Sequence, residues 1–118
     1  MQYKYFYGAQ AEQFSFYRIP KALFTEPNFR ELSTDAKVLY GILLDRMSLS
    51  LKNQWLDAQN KVYIIFTVEE IMDALNCANQ KATRLMVELE KQAGLIERKR
   101  QGLGRPNLIY VKNFAVSS

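Results

Sequence analysis

The stretch ANQKATRLMVELEKQAG (78–94), with LIERKR (95–100), QGLGRP (101–106) and NLIYV (107–111) behind it, decides the fold of this chain. Ala82, Leu85, Met86 and Leu89 recur at the spacing of one helix face, which predicts a helix with that stripe turned inward. Asn79, Gln80, Lys81, Thr83, Arg84 and Val87 then fall on or near the outer faces. Gly94 is the expected stop, because a residue just past a helix end often needs a left-handed backbone. The pieces after it read as a strand, a glycine-containing tip and a return strand. A helix followed by a basic hairpin is the pattern of a winged helix-turn-helix. Such a helix enters a major groove while the hairpin holds the neighbouring backbone.

Reading outward toward the N-terminus completes the motif. Thr67-Val-Glu-Glu70 has the spacing of a capping box and predicts a short helix with Val68, Ile71, Met72 and Leu75 inward. Asn76-Cys77-Ala78-Asn79 breaks the period and forms the turn between the two helices. VYIIF (62–66) is apolar throughout and reads as a short strand covered on both faces. Residues 48–60 lose the helical period and read as a loop or hairpin anchored by Trp55.

ELSTDAKVLYGILLDRMSLSLKN (31–53) is the strongest helix. Ser33 or Thr34 is its expected cap, and Asp35 suits the positive end of its dipole. Ala36, Leu39, Ile42, Leu43, Met47 and Leu51 form its core stripe, and Gly41 marks a point of close packing.

Nine of the 15 aromatic residues lie in the first 30: Tyr3, Tyr5, Phe6, Tyr7, Phe14, Phe16, Tyr17, Phe24 and Phe29. Alternation at 3, 5, 7 and at 14, 16 suggests extended pieces, and FYRIP (16–20) reads as a strand ended by Pro20. Most of these rings are expected to cap the core. The competing reading is a dimer surface or a DNA-facing arm. The fold class is therefore α+β, a winged helix-turn-helix with an additional N-terminal strand region. One domain is expected over residues 1–118, with 1–13 as an arm or extra strand.

Composition narrows the function. Between residues 78 and 105 lie seven basic and three acidic residues, and the rest of the chain has nine of each. The whole net charge of +4 thus sits on the hook. Charge alone leaves a solvated face and a phosphate-binding face level; the hairpin around it favours binding. The chain has no histidine, which excludes Ser-His and Cys-His nucleophilic pairs. The single cysteine, Cys77, excludes an internal disulfide and offers no metal-ligand spacing. GLGRP lacks the Gly-Lys-Ser/Thr ending and following helix of a phosphate-binding loop. Neither catalysis, cofactor nor metal is expected. With no long apolar run and no signal-peptide stretch in MQYKYFYGAQ, the expected setting is the cytoplasm, away from membranes.

On the candidate reading helix, Asn79 and Gln80 suit adenine edges, Lys81 and Arg84 suit guanine edges, and Thr83 suits a thymine methyl or a phosphate. On the wing, Arg98, Lys99, Arg100 and Arg105 are candidate phosphate contacts. Gly102 and Gly104 permit close approach to the backbone. Arg98 and Arg100 are expected on one strand face with Lys99 on the other.

FYRIPKALF (16–24), LSTDAKVLYGILLDRMSLS (32–50), VYIIFTVEEIMDALN (62–76), NQKATRLMVELE (79–90) and above all GLIERKRQGLGRPNLIYV (94–111) resemble the N-terminal domain of the plasmid replication initiator A family of low-GC Gram-positive bacteria. The resemblance spans roughly residues 14–114, with the segments in the family's order. It implies a winged helix that binds repeated double-stranded DNA sites at a plasmid origin. It also implies a homodimer and a longer protein whose C-terminal domain recruits host replication proteins. The helix of 79–90 would read the major groove through Gln80, Lys81 and Arg84. The wing would hold the flanking backbone or minor groove. One departure stands out: a serine cap is expected before NQKA, and Ala78 stands there, leaving Asn76 or Asn79 to compensate. Two rival functions share this pattern, a winged-helix transcriptional regulator and a helicase-loader-type oligomerisation module.

Overall fold

The first turn of the long helix shows how the chain locks itself together. In the computed structural model, which describes residues 2–115 apart from the side chains of residues 10, 11 and 51, this helix, α2, spans Thr34–Lys52. Ser33 is its cap: its Oγ accepts from the Ala36 N–H at 3.1 Å, and its carbonyl accepts from the Lys37 N–H at 3.1 Å. A short helix, α1 (Ala22–Thr25), and a 3₁₀ turn over Pro27–Phe29 precede it and bury Leu23 and Phe29. Ala36, Leu39, Ile42 and Leu43 are buried as their spacing predicts, and Met47 is half-buried. The expected inward position of Leu51 lies outside the described side chains.

After α2 the chain turns back through the hairpin expected around Trp55. Leu56 and Val62 form an antiparallel bridge, and the Trp55 and Tyr63 rings stack with centroids 6.4 Å apart. Asp57 organises the turn by accepting from the Gln59 and Lys61 N–H groups at 2.8 and 2.9 Å. These backbone donors hold its carboxyl below the usual range, led by the Lys61 N–H. The Tyr110 hydroxyl adds a bond to the same carboxylate at 3.0 Å, joining this hairpin to the wing.

The helix-turn-helix follows. Helix α3 (Val68–Leu75) opens on the full capping box, with the Thr67 Oγ1 accepting from the Glu70 N–H and the Glu70 carboxylate accepting from the Thr67 N–H. It ends at Asn76, whose φ of 52° is left-handed. Helix α4 (Asn79–Val87) buries Ala82, Leu85 and Met86, and Leu89 beyond it is fully buried. The helix then widens into one π turn over Glu88–Gln92 before Gly94, at φ +65°, reverses the chain. Strands β1 (Ile96–Lys99) and β2 (Leu108–Val111) form the antiparallel wing, with Ile96 opposite Val111 and Lys99 opposite Leu108. VYIIF supplies one bridge residue to it rather than a full strand: Ile64 and Ile109 exchange backbone bonds of 2.8 and 2.9 Å. Ile64 is wholly buried, while Val62, Tyr63, Ile65 and Phe66 are only half-buried, so one face alone is fully covered.

The N-terminal region departs from expectation. Residues 14–20 have no strand partner among the described residues, and residues 10–13 form a 3₁₀ turn. Alternation marks an extended backbone, but a strand also needs a partner edge, and this segment lies over a helix instead. Eight of the nine early aromatic residues are exposed, with Tyr3 and Tyr5 each at 85%; only Phe29 joins the core. They therefore do not cap it. Phe6, Phe14 and Phe16 pack edge to face on one another, with centroids 6.1 and 6.4 Å apart.

Gly41 marks where this segment crosses α2. A Cβ there would stand 2.8 Å from both the Arg18 carbonyl oxygen and the Ile19 side chain. Gly41→Ala is therefore expected to destabilise the domain by about 1–3 kcal/mol, the usual cost of overpacking. That outweighs the roughly 0.5–1 kcal/mol that alanine gains in an open helix. Thermal unfolding checks the sign, and a stabilised variant would contradict the close crossing.

Candidate nucleic-acid interface

The face of α4 opposite its buried stripe carries Asn79, Gln80, Thr83 and Arg84, all exposed. Arg84 has no side-chain partner among the described residues. Lys81 differs: its Nζ pairs with an Asp35 oxygen at 2.6 Å, so this cation is shared with the first turn of α2. The start of α4 has no side-chain cap. Ala78 is extended and has no side-chain oxygen to offer, Asn79 accepts instead from Thr83 Oγ1 at 3.4 Å, and Asn76 ends α3. Neither asparagine compensates for the missing serine. The first-turn N–H groups, with the positive end of the helix dipole, face outward.

The wing is less uniform than its charge suggests. Lys99, Arg100 and Arg105 are exposed and without side-chain partners among the described residues. Arg98 is engaged. Its Nε and Nη2 donate to one oxygen of Glu90 at 3.0 and 2.7 Å, and its backbone N–H donates to the other at 3.1 Å. Arg98 lies on the same strand face as buried Ile96, which turns its side chain toward the end of α4. Arg100 lies beyond β1, so the expected pairing of Arg98 and Arg100 on one strand face does not form. Arg98 is thus a clamp between helix and wing rather than a free cation. The hydrogen bonds from the Arg98 side chain hold the Glu90 carboxyl below its ordinary value of 4.5.

Glu88 is the second inward carboxylate. It is 8% exposed and accepts from the Ser33 N–H at 2.7 Å and the Ser33 Oγ at 2.9 Å. Two of the three acids in the basic segment are therefore turned inward, while Arg84, Lys91, Lys99, Arg100 and Arg105 are exposed with no ion pair among the described residues. At the wing tip, Gly102 and Gly104 have φ of +118° and +75°, conformations that disfavour side chains. The neck is closed by Gln101 Nε2 donating to the Pro106 carbonyl at 2.7 Å and by the Arg105 N–H to Gly102 O at 3.3 Å.

Sequence reasoning missed Asp35, Glu88 and Glu90 as organisers of this surface. Only the three-residue step from Leu85 to Glu88, which places Glu88 near the buried stripe, hinted at one of them.

Comparison with known proteins decides the family. The chain matches the family described as "Replication initiator protein A (RepA) N-terminus" over residues 15–118. The chain belongs to this family. A relative from Lactobacillus helveticus, named "41 kDa protein", is 32% identical over 92 residues, which is 78% of this chain but 26% of that protein. The chain thus spans about a quarter of the length of that relative. Among solved structures, one described as "Structure of Rep-DNA complex" superposes with a TM-score of 0.79 at 38% identity, covering 98% of this chain and 88% of that one. Another, "N-Terminal domain of DNA binding protein", gives 0.77 at 39%, covering 95% and 85%. A third, "Structure of MDR initiator", gives 0.76 at 39%, covering 97% and 89%. The RepA N-terminal fold of this chain is a winged helix-turn-helix.

Two outcomes follow from this geometry. Ala78→Ser is expected to raise stability by about 1 kcal/mol by restoring the cap, measured by denaturant unfolding; an unchanged midpoint would mean the first turn is already satisfied. The Glu90–Arg98 clamp has a defined pH window. A carboxyl with a depressed folded-state value contributes stability that is complete above its ordinary value and is lost as pH falls through the lower folded value. The stability gap between the native protein and Glu90→Gln is therefore expected to be constant above about pH 4.5 and to shrink below it. A gap that widens on acidification would contradict the clamp.

Proposed function

We propose that this domain binds double-stranded DNA sequence-specifically at repeated sites of a plasmid origin, and by doing so begins plasmid replication in the bacterial cytoplasm. The observation that carries this is the sorting of charge around the hook. Arg84 on α4 and Lys99, Arg100 and Arg105 on the wing are exposed with no side-chain partner among the described residues, while Glu88 and Glu90 are drawn inward. The neighbour described as a Rep–DNA complex supports the same reading.

In this account α4 lies in the major groove. Gln80 and Arg84 meet base edges, with Asn79 and Thr83 beside them, and the uncapped first turn offers N–H groups to a phosphate. Lys81 reaches DNA only by leaving Asp35, so it tunes affinity more than specificity. Lys99, Arg100 and Arg105 hold the flanking strand, with Gly102 and Gly104 allowing close approach, and Arg98 keeps the wing at the angle this requires. The domain works by binding rather than by catalysis. The exposed aromatic arm supports a homodimer, and the remaining length of the longer relative leaves room for a part that recruits host replication proteins.

Two substitutions separate base reading from backbone holding. Arg84→Ala is expected to weaken binding to a selected site by ~1–3 kcal/mol with much less effect on random duplex. Equal losses on both would reduce Arg84 to a backbone contact. Arg100→Ala with Arg105→Ala is expected to flatten the salt dependence by on the order of one in slope per lost phosphate contact. An unaltered slope in the double variant would exclude the wing tip from phosphate contact.

A further inference from the structure

Leu103 is 101% exposed, more than any other large apolar side chain described. Its place is not that of a stray surface leucine. It stands at the apex of the wing between Gly102 and Gly104, and nothing lies within 4 Å of where a Cβ on either glycine would be. The tip is therefore a thin blade, one apolar side chain on bare backbone. Its neck is closed by the Gln101–Pro106 bond, so the blade does not collapse onto the domain. Arg100 and Arg105 flank it as exposed cations with no ion pair among the described residues. Those charges suit an anionic partner, which an apolar protein surface is not.

We propose that Leu103 is a groove contact, entering the DNA minor groove beside the site read by α4 while Arg100 and Arg105 grip the phosphates on its two walls. The inference rests on the DNA-binding reading above. The dimensions permit it. From the last paired residues of the wing, Lys99 and Leu108, the tip extends by four residues, at most about 13 Å of extended chain. From the middle of a major groove about 12 Å wide, the neighbouring minor groove, about 6 Å wide, lies within that reach. Wings with bulky tips would not fit so narrow a slot; two glycines and one leucine do. Minor-groove proteins use apolar side chains in this way, pressing on sugar edges or wedging a base step. Leu103 would then confer preference at positions outside the bases α4 touches, favouring A·T pairs, because the guanine amino group protrudes into the floor of the groove.

The test uses the whole chain and duplexes sharing one selected central site, with the flank beneath the wing built from A·T, G·C or inosine·cytosine pairs. Inosine·cytosine lacks the minor-groove amino group but keeps the major-groove face of G·C. The native protein is expected to bind the A·T and inosine·cytosine flanks alike and the G·C flank more weakly, on the order of tenfold. Leu103→Ser should erase that difference and Leu103→Met should retain it. Circular dichroism should show both variants folded, since the side chain packs on nothing. Several results would overturn the inference: Leu103→Ser keeping the native flank preference, inosine·cytosine behaving as G·C, a uniform loss across all flanks, or an altered oligomeric state with flank preference intact. Failure of the native protein to bind any duplex would instead remove the DNA-binding reading, and this inference with it.

Discussion

The two bonds between Glu88 and Ser33 join the far end of α4 to the start of the longest helix. A carboxylate that is 8% exposed is tolerated only when hydrogen-bonded, and here it closes a circuit. Ser33 Oγ caps α2 by accepting from Ala36 and donates to Glu88 at once. Removing Glu88 would strand the Ser33 N–H, a loss on the order of 1–3 kcal/mol, and free the end of α4 to swing. The π turn makes the arrangement possible. By inserting a residue's worth of rotation at Glu88–Gln92, it directs Glu88 to α2 and Glu90 to the wing from neighbouring positions.

Helix and wing consequently present one surface. Glu90 fixes Arg98, Ile64 zips onto Ile109, and Tyr110 ties β2 to the hairpin turn through Asp57. On the other side Tyr40 donates to the Lys112 carbonyl at 2.7 Å, its own ionisation pushed up to about 12 by burial. Such preorganisation leaves contact energy available for a partner rather than for ordering the domain. It also divides the cations: Arg98 and Arg46 are structural, Arg46 pairing with Glu70 over the Phe66 ring, while Arg84, Lys99, Arg100 and Arg105 stay exposed.

Much of this was legible in the residues. The stripe Ala82, Leu85, Met86 and Leu89, the Thr67–Glu70 box, the left-handed Gly94 and the close approach at Gly41 each follow from a local rule, and each stands in the structure. What escaped the sequence depends on distance in space. Nothing in IERKR says that Arg98 will find Glu90, eight residues back, because the π turn that aligns them leaves no mark on the hydrophobic period. Asp35 read as a dipole partner and also holds Lys81. The aromatic arm misled for a related reason: counting rings predicts burial, yet burial needs a free core face, and α1, α2 and Phe114 had already filled it. Ala78 was read as a gap in the capping, and it is one.

Site-directed cleavage of bound DNA tests the central claim most directly. Iron chelates attached through cysteine at exposed positions 87 and 107, in a Cys77→Ser background, would report which groove each element occupies. The account predicts major-groove cleavage within the selected site from position 87. From position 107 it predicts a pattern offset to the 3′ side on both strands in the adjoining minor groove. Cleavage from both positions in the same groove, or scattered evenly along the duplex, would contradict a helix that reads and a wing that grips.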